Sequence, residues 1–148
     1  MKKYTYETAH EEIDYIFKIL LPQRGMAERP EQIRLCHSIL DAMLDGSIAL
    51  CDAGTGIGKT FAYLTAGILH GKCRATEGKL QRPILISTSS IALQSAIQKE
   101  YLPLLSGVLL SEGLISAPIE AVIRKGKAHY ACDARLERRV RQVEGSHK

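Results

Sequence analysis

Eight consecutive residues carry the most legible chemistry in this chain: Ala53-Gly54-Thr55-Gly56-Ile57-Gly58-Lys59-Thr60. Glycines let a backbone turn tightly and bring successive N–H groups toward one anion, and a helix opening at the end of such a turn offers its positive end to the same anion. Lys59 adds a compact cation suited to terminal phosphates, and the Thr60 hydroxyl is an oxygen of the kind Mg²⁺ accepts. The eight residues therefore read as a cradle for ATP and Mg²⁺, with Lys59 and Thr60 as the catalytic pair and Thr60 as the metal ligand. The strict pattern for such loops puts glycine first, and Ala53 stands in that place. A glycine-rich connection ahead of a helix is the bland alternative. The Lys-Thr pair in register behind an apolar run of strand length argues against it.

The elements that must position this loop are read from periodicity. Residues 47–51 form a short apolar run expected as a strand; the loop follows, then a helix over about 59–70. Residues 71–82 are polar, basic and glycine-containing, which suits a surface loop, and 83–87 read as a second strand. A helix over about 90–101, interrupted by Pro103, a third strand over 119–124 and a basic helix over 130–143 complete the series. Upstream, Thr8-Ala9-His10-Glu11 has capping-box spacing, and Ile13, Ile16, Phe17 and Leu20 recur at helical spacing until Pro22. After a linker over 23–28, Pro30 opens a second helix whose apolar face is Ile33, Cys36, Ile39, Leu40, Met43 and Leu44 and which Gly46 ends. Strand, helix and strand in succession imply an α/β fold, a parallel sheet flanked by helices, whose unpaired edges would favour association.

A length of 148 residues suits one domain, and 45% hydrophobic content sets disorder aside as a default. Residues 1–123 carry 12 Lys+Arg against 13 Asp+Glu, whereas 124–148 carry 8 against 3, so the net +4 comes from the C-terminal segment. A basic end of this kind is more often a solvated helix face than a nucleic-acid patch. Met1-Lys2-Lys3-Tyr4 runs at once into acidic residues, no stretch has membrane-spanning length, and a cytoplasmic protein without membrane contact is expected. The four cysteines form no CxxC pair, which argues against a zinc site or disulfide framework. Cys36 and Cys51, in apolar periodic segments, are expected as small buried hydrophobes.

Three further segments narrow the reading. Arg29-Pro30-Glu31-Gln32 resembles the R-x-x-Q element that precedes the phosphate loop in DinG-like helicases, where a glutamine amide can read an adenine edge and an arginine can brace the base. Ile84 to Gln94 resembles helicase motif Ia, and hydroxyls at a strand end, Thr88, Ser89 and Ser90, with Gln94 beyond, suit the sugar–phosphate backbone of single-stranded DNA. A Ser/Thr helix cap is compatible with the same residues. Residues 122–136 resemble the K-G-x-x-x-Y-x-C-x-x-R-L stretch of the family, in which the cysteine, here Cys132, is the first of four thiolate ligands to a [4Fe-4S] cluster. Arg124, Lys125 and Lys127 would then meet DNA. In family order these segments resemble the iron–sulfur DinG/XPD-type superfamily 2 DNA helicases, and the A-x-x-G-x-G-K-T form of the loop is typical of helicase motors. The resemblance implies a P-loop NTPase (RecA-like) lobe, incomplete, over 29–123, preceded by an N-terminal helix and linker over 1–28 and followed by the start of an iron–sulfur region over 124–148.

Helicase hydrolysis also needs an Asp-Glu box and arginines from a second motor lobe, and no Asp-Glu dipeptide occurs in the chain. Only 16 residues follow Cys132, and none is a cysteine. The expectation is therefore the first part of a first motor lobe that binds ATP weakly and turns over little. A missing C-terminal portion or a second chain would complete both the motor and the cluster. Two other classes stay open: a small P-loop kinase, and a nucleotide- or single-stranded-DNA-binding module without catalysis. Repair and mobile-element or defence roles are not separable from these residues.

Overall fold

Thr5 opens the first helix, its hydroxyl accepting the Thr8 N–H at 3.3 Å, so the cap lies one turn before the capping box expected at Thr8. This helix, α1 (Tyr6–Tyr15), runs on through a π turn, Ile16–Leu20, and a single 3₁₀ turn, Pro22–Arg24. Its inward residues Ala9, Ile13, Ile16, Phe17 and Leu20 are all buried, as the periodicity requires. The computed structural model describes residues 4–80, 82–126 and 129–145. Helix α2 (Pro30–Asp45) starts on the expected proline and stops at Gly46, which takes a left-handed φ of 67° so that the Ser47 N–H reaches Ala42 O at 2.9 Å.

The central element is α3 (Lys59–Thr76). It packs against α2 along its length and against α1 and the later helices at other faces, and it buries Ala62, Leu64, Thr65, Ala66, Gly67, Leu69 and Cys73. It outruns the expected end near residue 70 because Gly71 is carried through: a mid-helix glycine costs only about 1 kcal/mol against alanine, which the buried Leu69 and Cys73 on either side offset. Next come α4 (Ile91–Ala96), a π turn (Ile97–Tyr101) and α5 (Leu102–Ser111). Pro103 does not break this run. It sits in the first turn of α5, directly after a π turn whose wider ring of bonding, Leu102 N–H to Ile97 O, frees the space a proline ring needs. Leu105, Val108 and Leu109 bring α5 into the same core as Phe17, Leu40 and Leu69. Each fully buried side chain of this size contributes about 1.5–3 kcal/mol.

The expected parallel sheet is overturned. Among the described residues there is no strand, and the architecture is helical. Residues 47–51, 83–87 and 119–124 are irregular, and none of them enters a backbone–backbone hydrogen bond with another such segment among the described residues. Ile48 is 91%, Leu50 97%, Leu85 92% and Val122 84% exposed. Strands are stabilised by a neighbour's ladder and by burial of alternate side chains; here the helices bury their apolar faces on one another and leave these runs unpartnered. Two residues of these runs are held: Ile84, whose side chain lies over the α3 backbone at Gly67, where an added Cβ would come within 2.6 Å of Ile84 Cδ1, and Ile119, which packs on the core and donates its N–H to Ser106 Oγ at 3.1 Å. The last helix, α6 (Asp133–Gly145), is exposed over its described side chains and shows one apolar edge of Leu136, Val140 and Val143. No helix among the described residues is long and apolar enough to cross a membrane.

Candidate functional site

The loop between α2 and α3 is built by two left-handed glycines, Gly56 and Gly58, each at φ 84°. Gly58 is also the residue that opens α3 and has no side chain to cap it, so the first N–H groups of the helix stay available to an outside acceptor. Gly54, Thr55, Gly56 and Lys59 are exposed, and Ala53, Ile57, Gly58 and Thr60 are partly so; packing does not close the loop.

Three side chains hold this loop from within the chain. Lys59 folds back so that Nζ donates to Ala53 O at 2.8 Å and to Gly54 O at 2.7 Å. From the start of α2, Arg29 donates to Gly56 O at 2.5 Å and the buried Gln32 donates through Nε2 to Gly58 O at 2.6 Å. Arg29, Gln32 and the eight loop residues, singled out separately in the sequence, thus come together at one place. The glutamine's donor is spent on the loop backbone, a contact that the adenine-edge reading did not include.

The segment expected to meet DNA is self-contained. Thr88 Oγ1 accepts from Ser90 N–H and Ser90 Oγ from Leu93 N–H, both at 3.1 Å, while Gln94 Nε2 donates to Thr88 O at 3.2 Å. These bonds cap α4, the compatible alternative weighed for these hydroxyls, and Ser89 and Ser90 remain exposed. Arg124 is exposed, the Lys125 N–H donates to Tyr130 Oη at 3.1 Å, and Lys127 lies outside the described residues. Cys132 is exposed and its carbonyl accepts the Arg135 and Leu136 N–H groups at the start of α6. Cys51 is exposed rather than buried, because the run that contains it is unpartnered; Cys36 is buried as expected.

The sequence reading missed the polar seams of α1. Lys72 of α3 donates to both Glu12 oxygens, at 2.7 and 2.5 Å, Tyr4 Oη donates to Glu12 Oε2 at 2.7 Å, and the Lys72 ammonium stands 4.4 Å from the Tyr4 ring centroid. On another face, His10 and Asp14 of α1 meet His37 and Asp41 of α2. The one signal available for the second seam was a repeated spacing, His-x-x-x-Asp at 10/14 and again at 37/41. Among the described residues no group of three or more His, Cys, Asp or Glu side chains is arranged to hold a metal ion.

A glycine-turned loop that opens a long helix and is braced by an Arg and a Gln from the preceding helix defines the class of site. No protein-family model and no solved structure matches the chain, but curated relatives do. It is 34% identical over 113 residues, 76% of its length, to the 3'-5' exonuclease DinG of Bacillus subtilis. It is 32% identical over 119 residues, 80% of its length, to the ATP-dependent DNA helicase YoaA of Haemophilus influenzae, and 30% identical over 116 residues, 78%, to YoaA of Escherichia coli. The chain belongs to this DinG-like helicase family, and it spans 11% of the DinG protein and 16% of each YoaA protein.

Proposed function

We propose that this chain supplies the ATP-phosphate-binding part of a DinG-like DNA helicase, with the triphosphate and Mg²⁺ taken up at Ala53 to Thr60. The observation that carries the reading is the loop itself: two left-handed glycines, an uncapped helix start and an exposed lysine converge on one open turn, the donor set a polyanion selects. Residues 29–123 are the ATP-binding region in this reading, with 1–28 as its N-terminal helix and linker and 124–148 as the beginning of the following region.

Each residue has a task. Backbone N–H groups at Gly56 to Thr60 donate to the phosphate oxygens, and Lys59 exchanges its two carbonyl contacts for terminal phosphate oxygens, a charge-assisted replacement. Arg29 and Gln32 hold the loop's carbonyls turned toward α2, which leaves its N–H groups free for the ligand. Thr60 fits Mg²⁺, an ion that uses one or two protein oxygens together with phosphate oxygens and water; Mg²⁺ supplies neutralisation of the phosphate charge. Thr88, Ser89, Ser90, Gln94, Arg124, Lys125 and Lys127 are the proposed contacts for single-stranded DNA. A [4Fe-4S] cluster does not fit the residues present: Cys132 offers one thiol where four are needed, and Cys36 and Cys73 are buried.

Equilibrium binding of a fluorescent ATP analogue with Mg²⁺ tests the assignment. Lys59→Ala is expected to lose at least about tenfold in affinity, the effect of removing a charge-assisted contact of roughly 1.4 kcal/mol or more, with an unchanged circular dichroism spectrum. Equal affinity in the two chains would sink it. Because no Asp-Glu pair occurs in the sequence, binding without turnover is expected. Single-stranded-DNA affinity in a chain that ignores nucleotide would favour the non-catalytic binding module instead.

A further inference from the structure

Gln32 lies against the phosphate loop with its whole amide. From the point where a Cβ on Gly58 would stand, Nε2 is 2.1 Å away, Cδ 2.7 Å and Oε1 3.2 Å. The glutamine is only 6% exposed, and its Nε2 donates to Gly58 O at 2.6 Å. Glycine at position 58 is what admits this amide, since any side chain there would occupy its place. From the N-cap of α2, Arg29 donates in the same way to Gly56 O at 2.5 Å.

A peptide unit is planar and trans, so fixing its C=O also fixes the N–H on its opposite side. The hold on Gly56 O therefore aims the Ile57 N–H, and the hold on Gly58 O aims the Lys59 N–H. Reading a base edge asks something else of a glutamine: a free carbonyl oxygen and a free NH₂ presented together to the base. Gln32 can offer that pair only by leaving Gly58 O and the packing that covers it. Such an exchange replaces one neutral hydrogen bond with others of similar strength, and it releases the peptide that aims the Lys59 N–H. Lys59 is the opposite case, because its own exchange trades neutral carbonyls for phosphate charge. Arg29 is exposed, and a guanidinium plane stacked on a base is blind to which base it covers.

We propose that this site takes nucleoside triphosphates by their phosphate chain without selecting the base, and that Gln32 is a positioning residue for the loop. The inference rests on the phosphate-loop reading of Ala53 to Thr60 and narrows it: the ligand class is the triphosphate chain, whichever base it carries. Guanine is the decisive comparison, because its O6 accepts where the adenine amino group donates. A glutamine reading that edge through two bonds would favour ATP over GTP by about fivefold or more.

The test is displacement of the fluorescent ATP analogue from the full chain, with Mg²⁺, by ATP, GTP and inorganic tripolyphosphate; it needs no variant. ATP and GTP are expected to compete within about fivefold of each other, and tripolyphosphate to compete as well. ATP ahead of GTP by more than that, with tripolyphosphate still competing, would overturn base tolerance and leave the phosphate loop standing. Displacement by none of the three would overturn the loop reading and this inference with it. Gln32→Met, which keeps the side chain's length without a donor, gives the second arm. It is expected to lower the affinities for all three ligands alike, by about two- to twelvefold for one lost hydrogen bond. In the nucleotide-free chain the same variant should move the Gly58 carbonyl ¹³C resonance upfield, as loss of a hydrogen bond does. A loss confined to ATP would mean that Gln32 reads the base. An unmoved Gly58 resonance, or unchanged affinity for all three ligands, would overturn the positioning role.

Discussion

Gly58 is the residue on which the loop turns most directly. Its φ of 84° lies where an L side chain costs about 1–2 kcal/mol, and a Cβ placed there would come within 2.1 Å of Gln32 Nε2. Gly58→Ala therefore strains the backbone and evicts the buried amide that holds Gly58 O. A melting temperature lower by about 2–8 °C is expected, together with weaker nucleotide binding, and an unchanged melting curve would contradict the left-handed cap. Tyr4 supplies a prediction of different kind. Burial first, and then the Glu12 hydrogen bond and charge, push its hydroxyl above the ordinary tyrosine range. The folded chain then keeps a proton that the unfolded chain releases near pH 10, so this contribution is present below pH 10 and stability falls as pH rises beyond it. Tyr4→Phe should flatten that alkaline limb in a series of urea melts; an identical limb would show that Tyr4 titrates alike in both states. The loop was legible in the sequence because its residues are contiguous and each type has one use. The Tyr4, Glu12 and Lys72 seam was not, because Lys72 lies 60 positions from Glu12 and only the fold brings them together.

Among the elements, α2 does three things at once: its first turn reaches the loop through Arg29 and Gln32, its inner face packs Ile33, Cys36 and Leu40 on α3, and its outer face meets α1 at His37 and Asp41. Loss at the inner face should therefore be felt at the loop. Leu40 is fully buried, and Leu40→Ala is expected to cost about 2–5 kcal/mol by urea denaturation and to weaken nucleotide binding in the fraction still folded. A normal loop affinity in that folded fraction would mean that α2 positions nothing. The helices α1 and α2 were legible because helical periodicity and local signals, Pro30 at the start and Gly46 at the end, agree. The three expected strands were not, because five apolar residues in a row state a length and a hydrophobicity but name no partner. Strand formation at 47–51, 83–87 and 119–124 depends on pairing that no local signal encodes, and helices α1, α2, α3 and α5 bury their apolar faces without it.

At the scale of the whole molecule the consequence is an exposed apolar surface. Ile48, Leu50, Leu80, Leu85 and Val122 are each more than four-fifths exposed, in irregular segments that share no backbone–backbone hydrogen bond with one another among the described residues. Exposed apolar runs with unpaired backbone are templates for association, and the net charge of +4 is a modest opposing repulsion at ordinary ionic strength. The chain is expected to self-associate with rising concentration in the micromolar range, seen by light scattering or sedimentation. Two mechanisms separate by salt. Association through apolar surface strengthens with sulfate, whereas association driven by contact between the basic C-terminal segment and acidic surface weakens with added salt. Leu50→Lys with Leu85→Lys places two charges at the most exposed apolar positions without touching the buried helical core, so it should lower the association at every concentration while leaving the melting temperature and the Lys59-dependent nucleotide affinity in place. If the double variant associates as readily as the wild-type chain, or if salt weakens the association, these segments are not its cause and the basic helix α6 is the surface to alter next.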